Sequence, residues 1–74
     1  MMADKELDLT NEICPRPMIM VMSTIKTLQK GEVLRARTKD PSIRQSIPKL
    51  CERAGFTLLE MAEEGDTIQF SIRK

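Results

Sequence analysis

The stretch "FTLLEMAEEGDTIQFSIR", residues 56–73, reads as a β-hairpin. Its second half, "TIQFSIR" (67–73), alternates throughout: Ile68, Phe70 and Ile72 against Thr67, Gln69, Ser71 and Arg73. Side chains of a strand point to opposite faces at period two, so one face is apolar and the other is wet. "FTLLEMAE" (56–63) is the partner strand, with Leu59 and Met61 expected on one face. Between them "EEGD" makes the turn, where Gly65 is free to take a positive φ. A sheet with one apolar face needs a cover, and the preceding residues must supply it.

Moving toward the N-terminus, "KDPS" (39–42) is a helix start. Asp40 suits the N-cap, and Pro41 suits the first helical position because its missing N–H would have no partner there. Ile43, Ile47, Leu50 and Ala54 form an apolar stripe, and Gly55 can close the helix. Pro48 has no donor for the Arg44 carbonyl, so a kink or a two-piece helix is expected. "EVLRART" (32–38) is a strand, with Leu34 and Ala36 opposite Arg35 and Arg37. Upstream, Met18, Val21, Met22, Ile25 and Leu28 fall on one helical stripe, in a helix from Pro15 to about Lys30–Gly31. "ELDL" (6–9) is a short first strand. The order is βαβαββ. The expected architecture is α+β, a two-layer α/β sandwich with a four-stranded mixed sheet and two helices on one face. The length, 74 residues, allows a single domain over 1–74.

Composition narrows the function classes. Twelve basic and eleven acidic residues give a net charge of +1, without the basic excess of a nucleic-acid binder. There is no Trp or Tyr and only two Phe, which leaves little on which to stack bases. No direct nucleic-acid partner is expected. No apolar run approaches the ~20 residues of a membrane span. "MMADKELDL" has no apolar stretch long enough for a secretory signal, so a cytoplasmic location is expected. Cys14 and Cys51 are far apart in the chain and His is absent. Neither a four-ligand zinc site nor a Cys–His catalytic pair fits such a chain, and a reducing cytoplasm disfavours a structural disulfide. No metal or organic cofactor is expected.

Cys14 sits in "EICPRPMIMVM" (12–22), followed by Pro15, Arg16 and Pro17. With Pro15 as the first helical residue, Cys14 is the N-cap, facing the free N–H groups of the first turn. The two prolines remove two donors and leave the Arg16 N–H as the one expected to point at the sulfur. The helix dipole favours a thiolate, and the Arg16 charge adds to this if its side chain turns back. Cysteines so placed have pKa values in the range ~3.5 to 7.5 instead of ~8.5. A thiolate can attack a persulfide, keep the outer sulfur and pass it on, with no base strictly required. The bland reading is a small buried apolar residue. The residues alone leave both open, although a loop-to-helix junction is rarely a core position.

"CPRP" fits the CPxP signature and resembles the TusA/SirA-type family of small sulfur carriers. The resemblance extends over nearly the whole chain. "LDLTNEICPRP" is similar to the family's first strand and helix start, "KGEVL" to its glycine-led second strand, "KDPS" to its second helix start and "IRK" to a common ending. The resemblance implies a sulfur carrier or sulfurtransferase that holds sulfane sulfur as a persulfide on Cys14, with Pro15 and Pro17 as the motif prolines. It implies a cysteine desulfurase or rhodanese-like donor and a downstream sulfur-relay acceptor, serving tRNA thiolation, cofactor synthesis or sulfur oxidation. Arg16 is expected to support the thiolate and persulfide anion. Where the family usually has Gly, three residues before the motif cysteine, this chain has Asn11, which tolerates the left-handed region better than other non-Gly residues.

Other side chains carry paired readings. Cys51 is either a resolving thiol for Cys14 or, more simply, a packed helix residue. Met18 and Met22 fit the core stripe, whereas Ile19 and Met20 lie off it and could form a docking patch beside the thiol. Arg35, Arg37 and Lys39 either guide an acidic partner or solvate a sheet face. The rival function is a non-catalytic protein-binding or redox-regulatory module using the same surface.

Overall fold

The alternation of the last strand carries through into three dimensions. In β4 (Thr67–Arg73), Ile68, Phe70 and Ile72 are all buried. The computed structural model describes residues 4–13 and 16–74. Among these, β1 (Lys5–Leu9), α1 (Arg16–Thr27), β2 (Val33–Thr38), α2 (Ile43–Ala54) and β3 (Thr57–Glu64) precede β4. The strands form one mixed sheet in the order β1-β2-β4-β3. β1 and β2 are parallel, with α1 as the crossover, and β4 runs antiparallel to both β2 and β3. Leu34 lies opposite Ile72, Ala36 opposite Phe70 and Thr38 opposite Ile68, so the buried residues of the two central strands share one face. Leu9 at the end of β1 extends that face, and both helices pack against it and against each other. This is the expected α+β sandwich.

β3 departs from simple alternation. Leu58 pairs with Ile72, Glu60 with Ser71 and Met61 with Phe70, so Leu59 is the extra residue of a β-bulge. A bulge shifts side-chain parity by one. Leu58 and Met61 therefore pack on the core, and Leu59 is 45% exposed, against the expected Leu59–Met61 face. Beyond the bulge Glu63 comes to the helix side and pairs with Arg44 of α2. That pairing holds the Glu63 carboxyl below its ordinary pKa.

α1 is rotated from the expected stripe. Pro17, Val21, Ile25 and Leu28 are its buried positions, while Met18 is half-buried and Met22 is 43% exposed. At about 100° per residue the buried face is turned by roughly 40°. The shift brings the Pro17 ring into the core and draws Met20, expected off the stripe, against it. In α2 the stripe is Ile43, Ile47 and Cys51, with Leu50 half-buried at its edge. Ala54, expected in the stripe, is exposed. It ends the helix at the rim of an apolar groove shared with Met22, Ile25, Leu50 and Phe56. Pro48 neither splits α2 nor faces the core: the helix runs through it with the ring in solvent, where water can reach the Arg44 carbonyl.

The start of α2 also differs from expectation. Asp40 Oδ1 accepts from the Ser42 N–H at 3.0 Å, the bond of an N-cap. The next N–H groups, of Ile43, Arg44 and Gln45, reach back only three residues, a 3₁₀ turn, so the α-helix proper begins at Ile43. At the other end Gly55 takes the left-handed conformation (φ 77°), and its N–H and that of Phe56 close on the Cys51 carbonyl. The C-terminal end of α1 is capped from far away in sequence. Lys74 Nζ donates to the carbonyls of Ile25 (2.9 Å) and Leu28 (2.8 Å), where a cation complements the helix dipole.

Candidate functional site

Parallel pairing of β1 and β2 brings their C-terminal ends, Leu9 and Thr38, side by side. Both strand-to-helix loops leave from this edge, where α/β sheets commonly place their sites. Local bonds from short polar side chains shape each exit. Asp8 Oδ1 accepts from the Thr10 hydroxyl (2.7 Å) and the Thr10 N–H (3.1 Å), and Oδ2 accepts from Arg37 Nη2 (3.2 Å). The Thr10 hydroxyl is the main reason that the Asp8 carboxyl sits below its ordinary pKa, with the Thr10 N–H next. On the neighbouring strand, buried Thr38 accepts the Asp40 N–H at 3.1 Å. A shallow depression of about 370 Å³ lies between the loops, lined by Thr10, Asn11, Glu12, Ile13, Lys39, Asp40 and Pro41.

Cys14 and Pro15 lie outside the described residues; their flanks do not. Glu12 N–H donates to the Leu9 carbonyl at 3.0 Å, turning the chain off β1. Arg16 N–H donates to the Ile13 carbonyl at 2.9 Å, so the donor expected to point at the sulfur is engaged within the loop. The Arg16 side chain is two-thirds exposed, and its Nε lies 3.1 Å from Glu12 Oε2. Pro17 is buried in the core. Asn11 does not use the left-handed region, since among the described residues only glycines have positive φ. The turn is made by the Asp8–Thr10 and Glu12–Leu9 bonds instead.

Glu12 and Ile13 flank the motif in addition to the residues expected from the sequence. The i, i+4 spacing of Glu12 and Arg16 is the signal from which the ion pair is readable. Ile13 is 79% exposed immediately before Cys14, and Ile19 is 56% exposed on the first turns of α1. Met20 is not part of that exposed surface. Arg35 and Arg37 lie on the open sheet face with the β1 carboxylates: Arg37 to Asp8 at 3.2 Å and Arg35 to Glu6 at 3.8 Å. Their register across β1 and β2 explains the match, and it leaves this face largely neutralised. Cys51 is buried in α2, and burial pushes its thiol pKa up. That is the environment of an inert packed cysteine. Among the described residues no group of three His, Cys, Asp or Glu side chains is placed to hold a metal ion, and no helix is long and apolar enough to cross a membrane.

Comparison with known proteins places this arrangement. Residues 5–74 match the family described as "Sulfurtransferase TusA". The sulfur carrier protein TusA of Pseudomonas putida (strain W619) is 39% identical over 71 residues, covering 96% of this chain and 89% of that protein. The sulfur carrier protein TusA of Pseudomonas entomophila (strain L48) is 41% identical with the same coverage. The crystal structure of a SirA-like protein from Desulfitobacterium hafniense superposes with a TM-score of 0.77 at 21% identity, over 93% of this chain and 95% of that one, a likeness of fold. With its "CPRP" motif running into the start of α1 at Arg16 and Pro17, the chain belongs to the TusA family.

Proposed function

We propose that this protein is a sulfur carrier, a relay of the sulfurtransferase type, which holds sulfane sulfur as a persulfide on Cys14. The observation that carries the reading is family membership over nearly the whole chain, with "CPRP" at the junction of the first strand and first helix. The chemistry balances without a base or a metal. The Cys14 thiolate attacks the outer sulfur of a donor persulfide, R–S–SH. A new S–S bond forms, the donor's S–S bond breaks, and its electron pair leaves on R–S⁻. Cys14–S–SH is the product. Its proton passes to R–S⁻ or to water, because a persulfide is the stronger acid, and the anion is then held for an acceptor.

Arg16 supports this reading as a cation two residues from the sulfur, with Pro15 and Pro17 restricting the backbone around it. The donor is a cysteine desulfurase or a rhodanese-like protein, and the acceptor is a further relay protein in the cytoplasm. Neither nucleic acid nor membrane is a direct partner. Exposed Ile13 and Ile19 favour transfer inside protein–protein complexes over capture of a small molecule in a pocket. Mass spectrometry after incubation with a cysteine desulfurase and cysteine tests it. One added sulfur on wild type and none on Cys14→Ser is the expected result. Absence of added sulfur on wild type with desulfurase and rhodanese donors alike overturns it. Full activity of Cys14→Ser in the cell would favour the regulatory module instead.

A further inference from the structure

β1 and β3 are the outermost strands of the sheet, so each has one edge without a neighbouring strand. The two edges differ. β1 is five residues long, and its Glu6 and Asp8 are already paired with Arg35 and Arg37 of β2. β3 is eight residues long and exposed along most of its length. The two-residue turn at Gly65 and Asp66 makes Glu64 and Thr67 a hydrogen-bonded pair, and antiparallel alternation repeats this at Ala62 and Gln69. At the positions between, the backbone N–H and C=O groups of Met61 and Glu63 turn away from β4. Among the described residues no turn, loop or cap bond reaches them, and the side-chain bond to this stretch ends on the Glu63 carboxylate. An open edge of this kind is a template for a further strand. The bulge at Leu59 guards its first part, but pairing from Glu60 to Glu64 is unbroken, and β3 holds no Pro, Lys or Arg.

Charge decides the occupant. Residues 57–66 carry Glu60, Glu63, Glu64 and Asp66 and no cation, a local excess that the net charge of +1 conceals. Among the described residues Glu63 is the one of these four with a cationic partner, Arg44. A second copy of β3 laid along this edge would bring carboxylates against carboxylates, which is destabilising across strands. A strand bearing Lys or Arg meets opposite charge there instead. The edge therefore rejects its own kind and selects a basic neighbour. We propose that the outer edge of β3 is a docking site for a basic, extended segment of another protein, which joins the sheet as a fifth strand. Backbone bonds to Met61 and Glu63 hold it, and Glu60 and Glu64 select its charge. The proposal is independent of the carrier reading, since β3 lies at the opposite edge of the sheet from β1, the strand that leads to the motif.

The test uses the whole chain, isotope-labelled, and a heptapeptide of alternating lysine and valine with blocked ends. Hydrogen exchange followed by NMR should slow about ten-fold at the Met61 and Glu63 amides when about nine-tenths of the chains are occupied, because only the free chain exchanges there. The Ala62 amide, already bonded to β4, should change little. The same peptide with every backbone nitrogen methylated keeps its charges but not its strand pairing, and should leave these amides unprotected. A glutamate–valine peptide should not bind. Glu60→Lys combined with Glu64→Lys reverses two exposed side chains, and should weaken the lysine peptide roughly ten-fold and admit the glutamate peptide. No slowing at Met61 and Glu63 with millimolar lysine peptide, equal effects of the methylated or glutamate peptide, or an unchanged affinity in the double variant would each overturn the proposal. So would self-association of wild type in sedimentation with these two amides protected, for the occupant is then a second copy.

Discussion

Deleting Leu59 should be close to neutral, although it takes a residue from the middle of β3. The bulge sets Leu58 opposite Ile72 and Glu60 opposite Ser71, leaving Leu59 unpaired between them. Without it, Leu58, Glu60 and Met61 alternate in, out and in, and every other pairing keeps its register. The deletion forfeits the partial burial of one leucine side chain, about 1–1.5 kcal/mol of the 1.5–3 for full burial. It also removes the cost of ordering one backbone residue, about 1–2 kcal/mol. The two nearly cancel, so stability should stay within about 1 kcal/mol of wild type. Deleting Gln69 is the control. β4 is flanked by β2 and β3, so a one-residue slip there turns Ile68, or Phe70 with Ile72, to the open face on both sides at once. That should cost at least about 3 kcal/mol, a large part of the stability of a chain this small. Urea unfolding followed by circular dichroism gives the stabilities, and cross-strand NOEs between Met61 and Phe70 report the register. A Leu59 deletion that loses more than about 2 kcal/mol, or the Met61–Phe70 contact, refutes the bulge assignment.

Three further outcomes follow from named contacts. Lys74→Met removes both side-chain bonds to the end of α1 and should cost about 1–2 kcal/mol in urea unfolding; Cys14 alkylation should be unchanged, since α1 puts about 18 Å between its ends. Asp8 and Glu63 have native pKa values below their ordinary ones, so their contribution to stability is complete above the ordinary carboxylate range and is lost as pH falls through the depressed native values. Plotted against pH from 2 to 6, the urea midpoint should therefore fall less steeply for Asp8→Asn and Glu63→Gln than for wild type. Cys51, buried and with its pKa raised, should resist alkylation in the native protein at pH 8 and react only on unfolding; native labelling as fast as that of Cys14 would contradict its packed role.

Most of the fold is legible because period two and period 3.6 are written plainly in "TIQFSIR" and in the two helical stripes. What escapes the sequence is phase. In β3 both Leu58 and Leu59 can face inward, and only pairing with Ile72 and Ser71 decides between them. In α1 apolar residues occupy 17–22 without interruption, so a helical wheel does not fix the buried arc to within a turn of one residue. Proline is commonly read as a breaker, and here its two placements oppose that habit. Pro17 is a core residue, while Pro48 sits on a solvated face where a missing hydrogen bond costs little. The proposed site is marked in the sequence by the motif around Cys14. Ile13 escapes because an exposed isoleucine in a loop has no periodicity to betray it, and Glu12 is signalled only by its i, i+4 spacing to Arg16. Asn11 misleads, since the chain turns off β1 through the Asp8–Thr10 bonds and Asn11 itself does not take the left-handed region.

The surface around the motif suits brief encounters. On the carrier reading, a partner must cover Cys14, engage it and leave again. Ile13 and Ile19 are the large apolar side chains exposed beside it, and burying both yields at most about 3–6 kcal/mol. Association costs an estimated 4–15 kcal/mol in lost freedom, so these anchors alone hold no stable complex. The remaining affinity must come from polar contacts such as those of the Arg16 guanidinium and Lys39, which are exposed and screened by salt. Such complexes form when charges match and dissociate readily. The flanks of the motif need little ordering on contact, because Pro17 is already fixed in the core and Glu12 is tied to the end of β1. On this reading a small carrier combines weak binding with fixed flanks on both sides of its motif, the combination that repeated hand-over between proteins requires.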